Sequence, residues 1–252
     1  MLTIPRIYSS ESLQNKESCR LAEDNLKYIK TVLRLKPGDE ISVFDGFGNE
    51  FKGTISTFSP QGVEVKLGKR IPREDKKISI TLAQAIPKAA KMDFIVKNAA
   101  ELGVDLIIPF TAHRSISRIA GDNAAQKIKR WQKIAAEAAR CSRSSFLAKI
   151  APVSSYQEML KHAENKHVKM IFWEEEEKNS IRAALGDKKL DTLRDFFIIV
   201  GPEGGFSREE IAAANQAGFQ SVSLGKHILK VETAATVIIS ILHYEKGIFS
   251  SH

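Results

Sequence analysis

The sequence predicts an α/β protein, a parallel sheet with helices on both faces preceded by a small β-barrel, and three observations lead there. Residues 196–246 read as strand, loop, helix, strand, loop, helix. Residues 78–110 read as strand, helix, strand, a unit that pairs its strands in parallel. Residues 1–70 have another texture, with short alternating strands separated by Gly- and Pro-containing turns. Two domains are therefore expected, 1–72 and 73–252, with the charged stretch Lys69–Lys77 as the connector.

In the first domain Arg6-Ile7-Tyr8 is a strand and Asp24–Arg34 a short helix. The turn Lys36-Pro37-Gly38-Asp39 opens a meander of Glu40–Asp45, Glu50–Phe58 and Val63–Lys69. Its links, Gly46-Phe47-Gly48-Asn49 and Ser59-Pro60-Gln61-Gly62, are built from turn residues. A small barrel closes such a meander, either to hold a ligand or simply as a stabilising appendage.

In the second domain Ile78–Ile86 is a strand, Lys91–Leu102 a helix closed by Gly103, and Leu106–Phe110 the next strand. The loop Thr111–Gly121 carries His113, Arg114 and Arg118. A long helix from about Asn123 to Cys141 then carries Lys127, Lys129, Arg130, Lys133 and Arg140. A charge run on a helix is usually a solvated face, but with Arg114 and Arg118 beside it phosphate contact becomes the better reading. Val168–Trp173 is a buried strand, and the four acids Glu174–Glu177 at its end read as a solvated loop.

The chain is organised around 196–246. Phe196–Val200 is apolar throughout, as in a strand covered on both faces. Gly201, Gly204 and Gly205 follow within five residues, more backbone freedom than one turn needs, so something is expected to lie against them. Ser207 and Glu210 form a capping box, and Gly218 ends the helix they begin. The strand Phe219–Leu224 leads to the loop 225–231 and to an apolar helix starting near Glu232-Thr233. Two loops thus leave the C-terminal ends of strands, where α/β sheets bind ligands. Neither has the spacing of a dinucleotide fingerprint or a P-loop. A neutral, backbone-rich pocket for an adenine or ribose remains, with Ile228 and Leu229 as apolar walls.

Composition narrows the class. The 252 residues are 43% hydrophobic, enough for a large core, and the net charge of +8 favours a polyanionic partner. There is no leader-like N-terminus and no run of membrane-spanning length, so the cytoplasm is the expected location and a membrane is not an expected partner. Cys19 and Cys141 give no disulfide framework, and the six histidines lack metal-ligand spacing, so no metal is expected.

Val200-Gly201-Pro202-Glu203-Gly204-Gly205-Phe206-Ser207, Leu224-Gly225 and Ile228-Leu229-Lys230-Val231-Glu232-Thr233-Ala234, in this order, resemble the bacterial 16S ribosomal RNA uracil-N3-methyltransferases of the SPOUT class. Gln84-Ala85-Ile86-Pro87-Lys88, Glu101-Leu102-Gly103-Val104, Val32–Asp39 and Val43–Gly46 carry the resemblance across most of the chain. It implies a trefoil-knotted parallel sheet that binds S-adenosylmethionine, a PUA-like N-terminal domain that holds RNA, and a homodimer paired through knot helices. The implied cofactor pocket is Phe172, Trp173, Val200, Gly201, Pro202, Glu203, Gly204, Gly205, Leu224, Gly225, Ile228, Leu229 and Thr233, with the backbone of Glu174–Glu177 as a third wall. The partner implied is 16S ribosomal RNA or the small ribosomal subunit, met by Arg34, Arg114, Arg118, Lys129, Lys133, Arg140 and Arg143.

Methyl transfer from a sulfonium needs placement above all, because the donor brings its own leaving group. Uracil N3 is a weak acid on a Watson–Crick edge, so the base must be unpaired and its developing anion met by a cation. Arg114 and Lys230 are the catalytic candidates, with phosphate anchoring as the alternative role; Glu203 and Glu232 read as loop braces or proton acceptors. The chain departs from the family pattern at Lys230 and Val231, where members carry Arg and Thr, and at Cys141, Ser144 and Ala148. A Lys keeps the charge of Arg without its planar fork. Alternatives are a non-catalytic RNA-binding protein, a methyltransferase for another RNA site, and a nucleotide-phosphate enzyme, the last disfavoured by the missing phosphate signatures.

Overall fold

Alternating burial along two long paired strands, Glu50–Ser59 and Gly62–Arg70, shapes the first part of the chain. In the computed structural model, which describes residues 4–72, 77–115, 122–186 and 192–249, the chain forms two compact units. The first unit takes in the N-terminal residues through 75 together with 136–147; the second takes in 76–135 and the rest from 148.

The first unit holds β1 (Arg6–Tyr8), β2 (Ser18–Leu21), α1 (Glu23–Lys27), β3 (Glu40–Phe44), β4 (Glu50–Ser59) and β5 (Gly62–Arg70). They form one sheet in the order β1-β3-β4-β5-β2, parallel only between β1 and β3. The sheet curls into a half-barrel rather than a closed barrel, and its edges are the short strands β1 and β2. Inward residues such as Ile41, Val43, Ile55, Val63, Val65 and Leu21 make its core. Gly62 sits at φ +134, and a Cβ there would stand 2.0 Å from the Leu21 carbonyl oxygen, so this hairpin admits only glycine. The helix expected over Asp24–Arg34 is α-helical only through Lys27; Tyr28–Val32 widens into a π turn and Arg34 turns left-handed at φ 55.

A buried charge fixes 136–147 to this unit. Arg6 grips Glu50 with Nε and Nη2, each at 2.9 Å, and donates to the carbonyls of Ala139 and Ser144 at 2.8 and 2.7 Å. Glu50 also accepts from the hydroxyls of Ser42 and Ser145, at 2.6 and 3.0 Å. Burial pulls the Glu50 carboxyl upward, but the Arg6 and Ser42 hydrogen bonds outweigh it and hold it below the usual carboxylate range.

The second unit runs β6 (Ser79–Ala85), α2 (Lys91–Glu101), β7 (Leu106–Thr111), α3 (Asp122–Cys141, whose residues from Ala136 belong to the first unit), β8 (Lys149–Ile150), β9 (Ser154–Ser155), α4 (Tyr156–Lys161), β10 (Val168–Phe172), α5 (Ile181–Leu185), β11 (Asp195–Val200), α6 (Arg208–Gln216), β12 (Gln220–Val222) and α7 (Val231–Glu245). Every pairing is parallel, in the order β12-β10-β11-β6-β7-β8 with β9 also on β7. β6 and β11 are buried along almost their whole length, as strands covered on both faces must be. Phe110, Tyr156, Phe197, Phe206 and Phe219 pack into the main core cluster.

The register decides where the site falls. Val200 pairs with Gln84 on one side and with Phe172 on the other, and Phe172 pairs with Val222. β10, β11 and β12 therefore end level, and the loops after them leave the same end of the sheet side by side. Among the described residues no helix is long and apolar enough to cross a membrane.

Candidate active site

The three neighbouring loops enclose a cavity of about 1000 Å3. Phe172, Trp173, Val200, Gly201, Pro202, Glu203, Gly204, Gly205, Leu224, Gly225, Ile228, Leu229 and Lys230 all line it. Thr233 does not: it is exposed on the first turn of α7, its N–H bonded to the Lys230 carbonyl at 2.9 Å.

Two of the walls are braced by a carboxylate. Glu203, in the first glycine loop, accepts from the Lys88 N–H at 3.1 Å and from Lys91 Nζ at 2.8 Å. Burial raises its carboxyl, yet the Lys91 hydrogen bond prevails and holds it low. Lys91 also lies 3.9 Å from Glu232, so one ammonium ties the glycine loop and the start of α7 to the start of α2. Glu176 braces the third wall: it accepts from the Ser221 hydroxyl and from the N–H groups of Lys178 at 2.9 Å and Asn179 at 3.2 Å. The acidic run read as a solvated loop thus contains a fixed support.

The charges left over face the cavity. Among the described residues the side chains of Glu174, Glu177, Lys226 and Lys230, all cavity-lining, take part in no hydrogen bond or ion pair. Glu174 leans on Gly205, whose φ is +66; a Cβ there would stand 1.7 Å from Glu174 Oε1. Lys230 occupies the N-cap position of α7, in extended backbone with no side-chain cap. Ile228 is 88% exposed, a rim residue more than a wall.

The capping box expected at Ser207 forms: Ser207 Oγ accepts from the Glu210 N–H at 3.2 Å, and Glu210 Oε2 from the Ser207 N–H at 2.9 Å. α6 closes on Gly218 at φ +85 with a Schellman pair, Phe219 N–H to the Ala214 carbonyl and Gly218 N–H to that of Asn215. Arg114 stands behind the glycine loop rather than in the cavity lining, donating from Nη1 to the Gly204 carbonyl at 3.0 Å.

Of the cations expected to meet RNA, Arg34, Lys129, Lys133 and Arg143 are exposed. Arg140 instead closes its fork on Glu137 and lies over the Tyr28 ring at 5.2 Å. Arg118 lies outside the described residues. Lys91, Ser180, Ser223 and Ala234 also line the cavity, and none of them is expected there from sequence. Ser180 has a sequence signal, since it caps α5 by accepting from the Ala183 N–H; Lys91 has none.

Among the described residues no group of three or more His, Cys, Asp or Glu could hold a metal ion. A parallel sheet with two glycine loops and a third wall at one end, a cavity with no phosphate cradle, and a half-barrel unit before it define an RNA methyltransferase of the SPOUT class. The model of the RNA methyltransferase domain matches residues 74–243, and that of the RNA methyltransferase PUA domain matches 21–68. Ribosomal RNA small subunit methyltransferase E of Mesomycoplasma hyopneumoniae is 35% identical over 85% of this chain and 89% of its own length. The same-named protein of Buchnera aphidicola is 30% identical over 98% and 95%. The crystal structure of ribosomal RNA small subunit methyltransferase E from Neisseria gonorrhoeae, bound to S-adenosylmethionine, superposes with a TM-score of 0.82 at 30% identity, covering 96% of this chain and 98% of that one. A second structure, from Legionella pneumophila and also holding bound cofactor SAM, gives 0.84 at 27% identity over the same shares. The chain belongs to the RNA methyltransferase family, in its ribosomal RNA small subunit methyltransferase E branch.

Proposed function

We propose that this RNA methyltransferase uses S-adenosylmethionine to methylate N3 of a uridine in the 16S ribosomal RNA of the small subunit. The observation that carries the reading is the cavity between the loops after β10, β11 and β12. Its fit to the cofactor is chemical as well as spatial. Backbone groups of Gly201–Gly205 and Leu224–Gly225 suit a nucleoside, Phe172 and Leu229 offer apolar cover, and nothing there resembles a phosphate cradle. Among the uncommitted side chains of the lining, Glu174 and Lys230 offer a charge of each sign to the zwitterionic amino-acid end.

When bound, the cofactor supplies a methyl group on positively charged sulfur. The chain's residues must then hold an unstacked base and favour loss of its N3 proton, which leaves negative charge on the ring. Lys230, on the cavity wall, is the cation proposed to face that charge. Arg114 contributes from the neighbouring turn, and Lys129, Lys133, Arg143 and Arg34 contribute phosphate contacts.

A homodimer acting on small subunits in the cytoplasm completes the reading. α7 buries Val231, Ala235, Ile238, Ile239 and Leu242, while Ala234, Val237 and Ile241 on its other side are only half-buried, and Tyr244 is 73% exposed. A second copy would cover that side. Light scattering at micromolar concentration should give twice the chain mass; a monomer overturns this part.

The deciding experiment incubates the protein and S-adenosylmethionine with small subunits lacking methylation, then identifies the nucleoside product by mass spectrometry. The expected product is 3-methyluridine at one position. A methyl group elsewhere, or RNA binding without turnover, would overturn the substrate assignment or the catalytic one respectively.

A further inference from the structure

The Glu210 carboxylate does more than cap a helix. Its Oε2 accepts from the Ser207 N–H at 2.9 Å, and its Oε1 accepts from the His113 N–H at 2.8 Å, 97 positions away in the chain. The residue is 7% exposed, and both carboxylate oxygens are engaged. Its own carbonyl accepts from the Tyr156 hydroxyl at 2.7 Å, and Tyr156 packs on Phe110 and Phe206, so the anchor is rigid.

His113 belongs to a turn that locks itself. The Ala112 N–H donates to Ser115 Oγ at 3.1 Å, and the Ser115 N–H returns to the Ala112 carbonyl at 3.0 Å. Between them stands Arg114, which reaches the Gly204 carbonyl at 3.0 Å. The approach is close, for a Cβ on Gly204 would stand 3.2 Å from Arg114 Cβ. The turn after β7 and the glycine loop after β11 are thus joined twice, by the Glu210 carboxylate at one point and the Arg114 guanidinium at the other.

We propose that Glu210 is a positioning residue for methyl transfer: through the His113 N–H it sets the turn that carries Arg114, and Arg114 in turn holds the Gly204 carbonyl from behind and so sets the glycine loop that lines the cavity. This rests on the cavity's being the S-adenosylmethionine site. Arg114 then acts on the cofactor loop as well as toward RNA, and the two loops respond to either ligand as one piece. A capping box alone would need only the Ser207 contacts; the bond to His113 is surplus to it.

The test is a double-mutant cycle. Glu210→Gln keeps the shape but puts an NH2 group where one of the two N–H donors must be met. Arg114→Ala removes the second join, and Ser207→Ala weakens the cap while leaving Glu210 on His113. Calorimetry with S-adenosylmethionine and amide exchange over residues 112–115 and 201–206 are the readouts, with single-turnover methylation beside them. Glu210→Gln and Arg114→Ala should each weaken cofactor binding about tenfold, and the double variant should be within about twofold of Arg114→Ala alone, because coupled residues are not additive. Ser207→Ala should lower the melting temperature and leave cofactor affinity within about twofold of wild type. Should Glu210→Gln fail to fold, Glu210→Asp, which keeps the charge but is one methylene short, takes its place in the cycle. Additive losses, unchanged exchange at 112–115, or equal losses in Ser207→Ala would overturn the proposal while leaving the cofactor assignment intact. A wild-type protein that does not bind S-adenosylmethionine would overturn both.

Discussion

The Glu174 carboxylate rests against Gly205 so closely that a Cβ on the glycine would stand 1.7 Å from its Oε1. The contact joins the third wall of the cavity to the first glycine loop, at a residue held at φ +66. Glu174 is exposed and can swing aside, but into the cavity mouth or solvent. Gly205→Val is therefore expected to lower S-adenosylmethionine affinity by at least about tenfold, roughly 1.4 kcal/mol, while left-handed backbone adds about 1–2 kcal/mol of strain. Calorimetry beside a melting curve checks it. Undiminished affinity in a folded variant would refute the placement of the cofactor against this loop.

The Lys230 side chain has no partner among the described residues, so its removal should disturb the fold little. Lys230→Ala is expected to lower the single-turnover rate about 10²-fold at saturating cofactor and RNA, the scale set by removing one electrostatic donor from a reacting site. Lys230→Arg should keep most of the rate, since the charge survives. Equal losses in both variants would mean that shape, not charge, matters at this position.

Glu50, with Asp45 and Glu137, is one of the carboxylates of the first unit held below the usual range. Its carboxyl is held below the ordinary value of about 4.3 against the pull of burial, chiefly by Arg6. A depressed folded-state value gives stability that is present above the ordinary value and disappears as pH falls through the folded one. Glu50→Gln leaves Arg6 buried and half-paired, with an expected cost of about 3–5 kcal/mol at neutral pH. The gap in melting temperature between variant and wild type should narrow below about pH 4. A gap that stays constant from about pH 7 to about pH 3 would count against the ion pair as its source.

The main strands of the second unit are legible because burial on both faces leaves mostly apolar runs: Phe196–Val200 is apolar throughout, Val168–Phe172 is broken only by Lys169, and the β6 segment only by Ser79, Thr81 and Gln84. β2 is not, since Ser18–Leu21 alternates over only four residues, too short a run to signal a strand without its partner β5. The helix from Asp24 fails halfway for a comparable reason: Ile29 must reach the half-barrel core, and the chain widens into a π turn to put it there. The site is legible in its two glycine loops. That the Glu174–Glu177 loop joins them depends on β10 lying between β11 and β12, a strand order no spacing encodes. Likewise no local pattern links Glu210 to His113. Ser155 and Glu158 form a second capping box, one whose spacing is plain in the sequence and which sets the start of α4 without touching the site.

Phosphate contact gives the last prediction, because the expected RNA-facing cations differ in what already holds them. The Lys129 side chain is exposed with no partner among the described residues, and Arg143 is likewise exposed and unpaired among them. Arg140 is held by Glu137, whose carboxylate is held low mainly by that hydrogen bond, and by the Tyr28 ring. A guanidinium so engaged must leave both partners to reach a phosphate. Lys129→Ala and Arg143→Ala should each flatten the dependence of log affinity on log salt by roughly 0.7–0.9 for each phosphate no longer neutralised, with little change in saturated rate. Arg140→Ala should leave the slope unchanged and lower the melting temperature instead. RNA affinity from about 50 to about 200 mM salt, measured on the full chain beside thermal melts, separates the two behaviours. If Arg140→Ala flattened the slope as Lys129→Ala does, its pairing with Glu137 would be a resting position that RNA displaces.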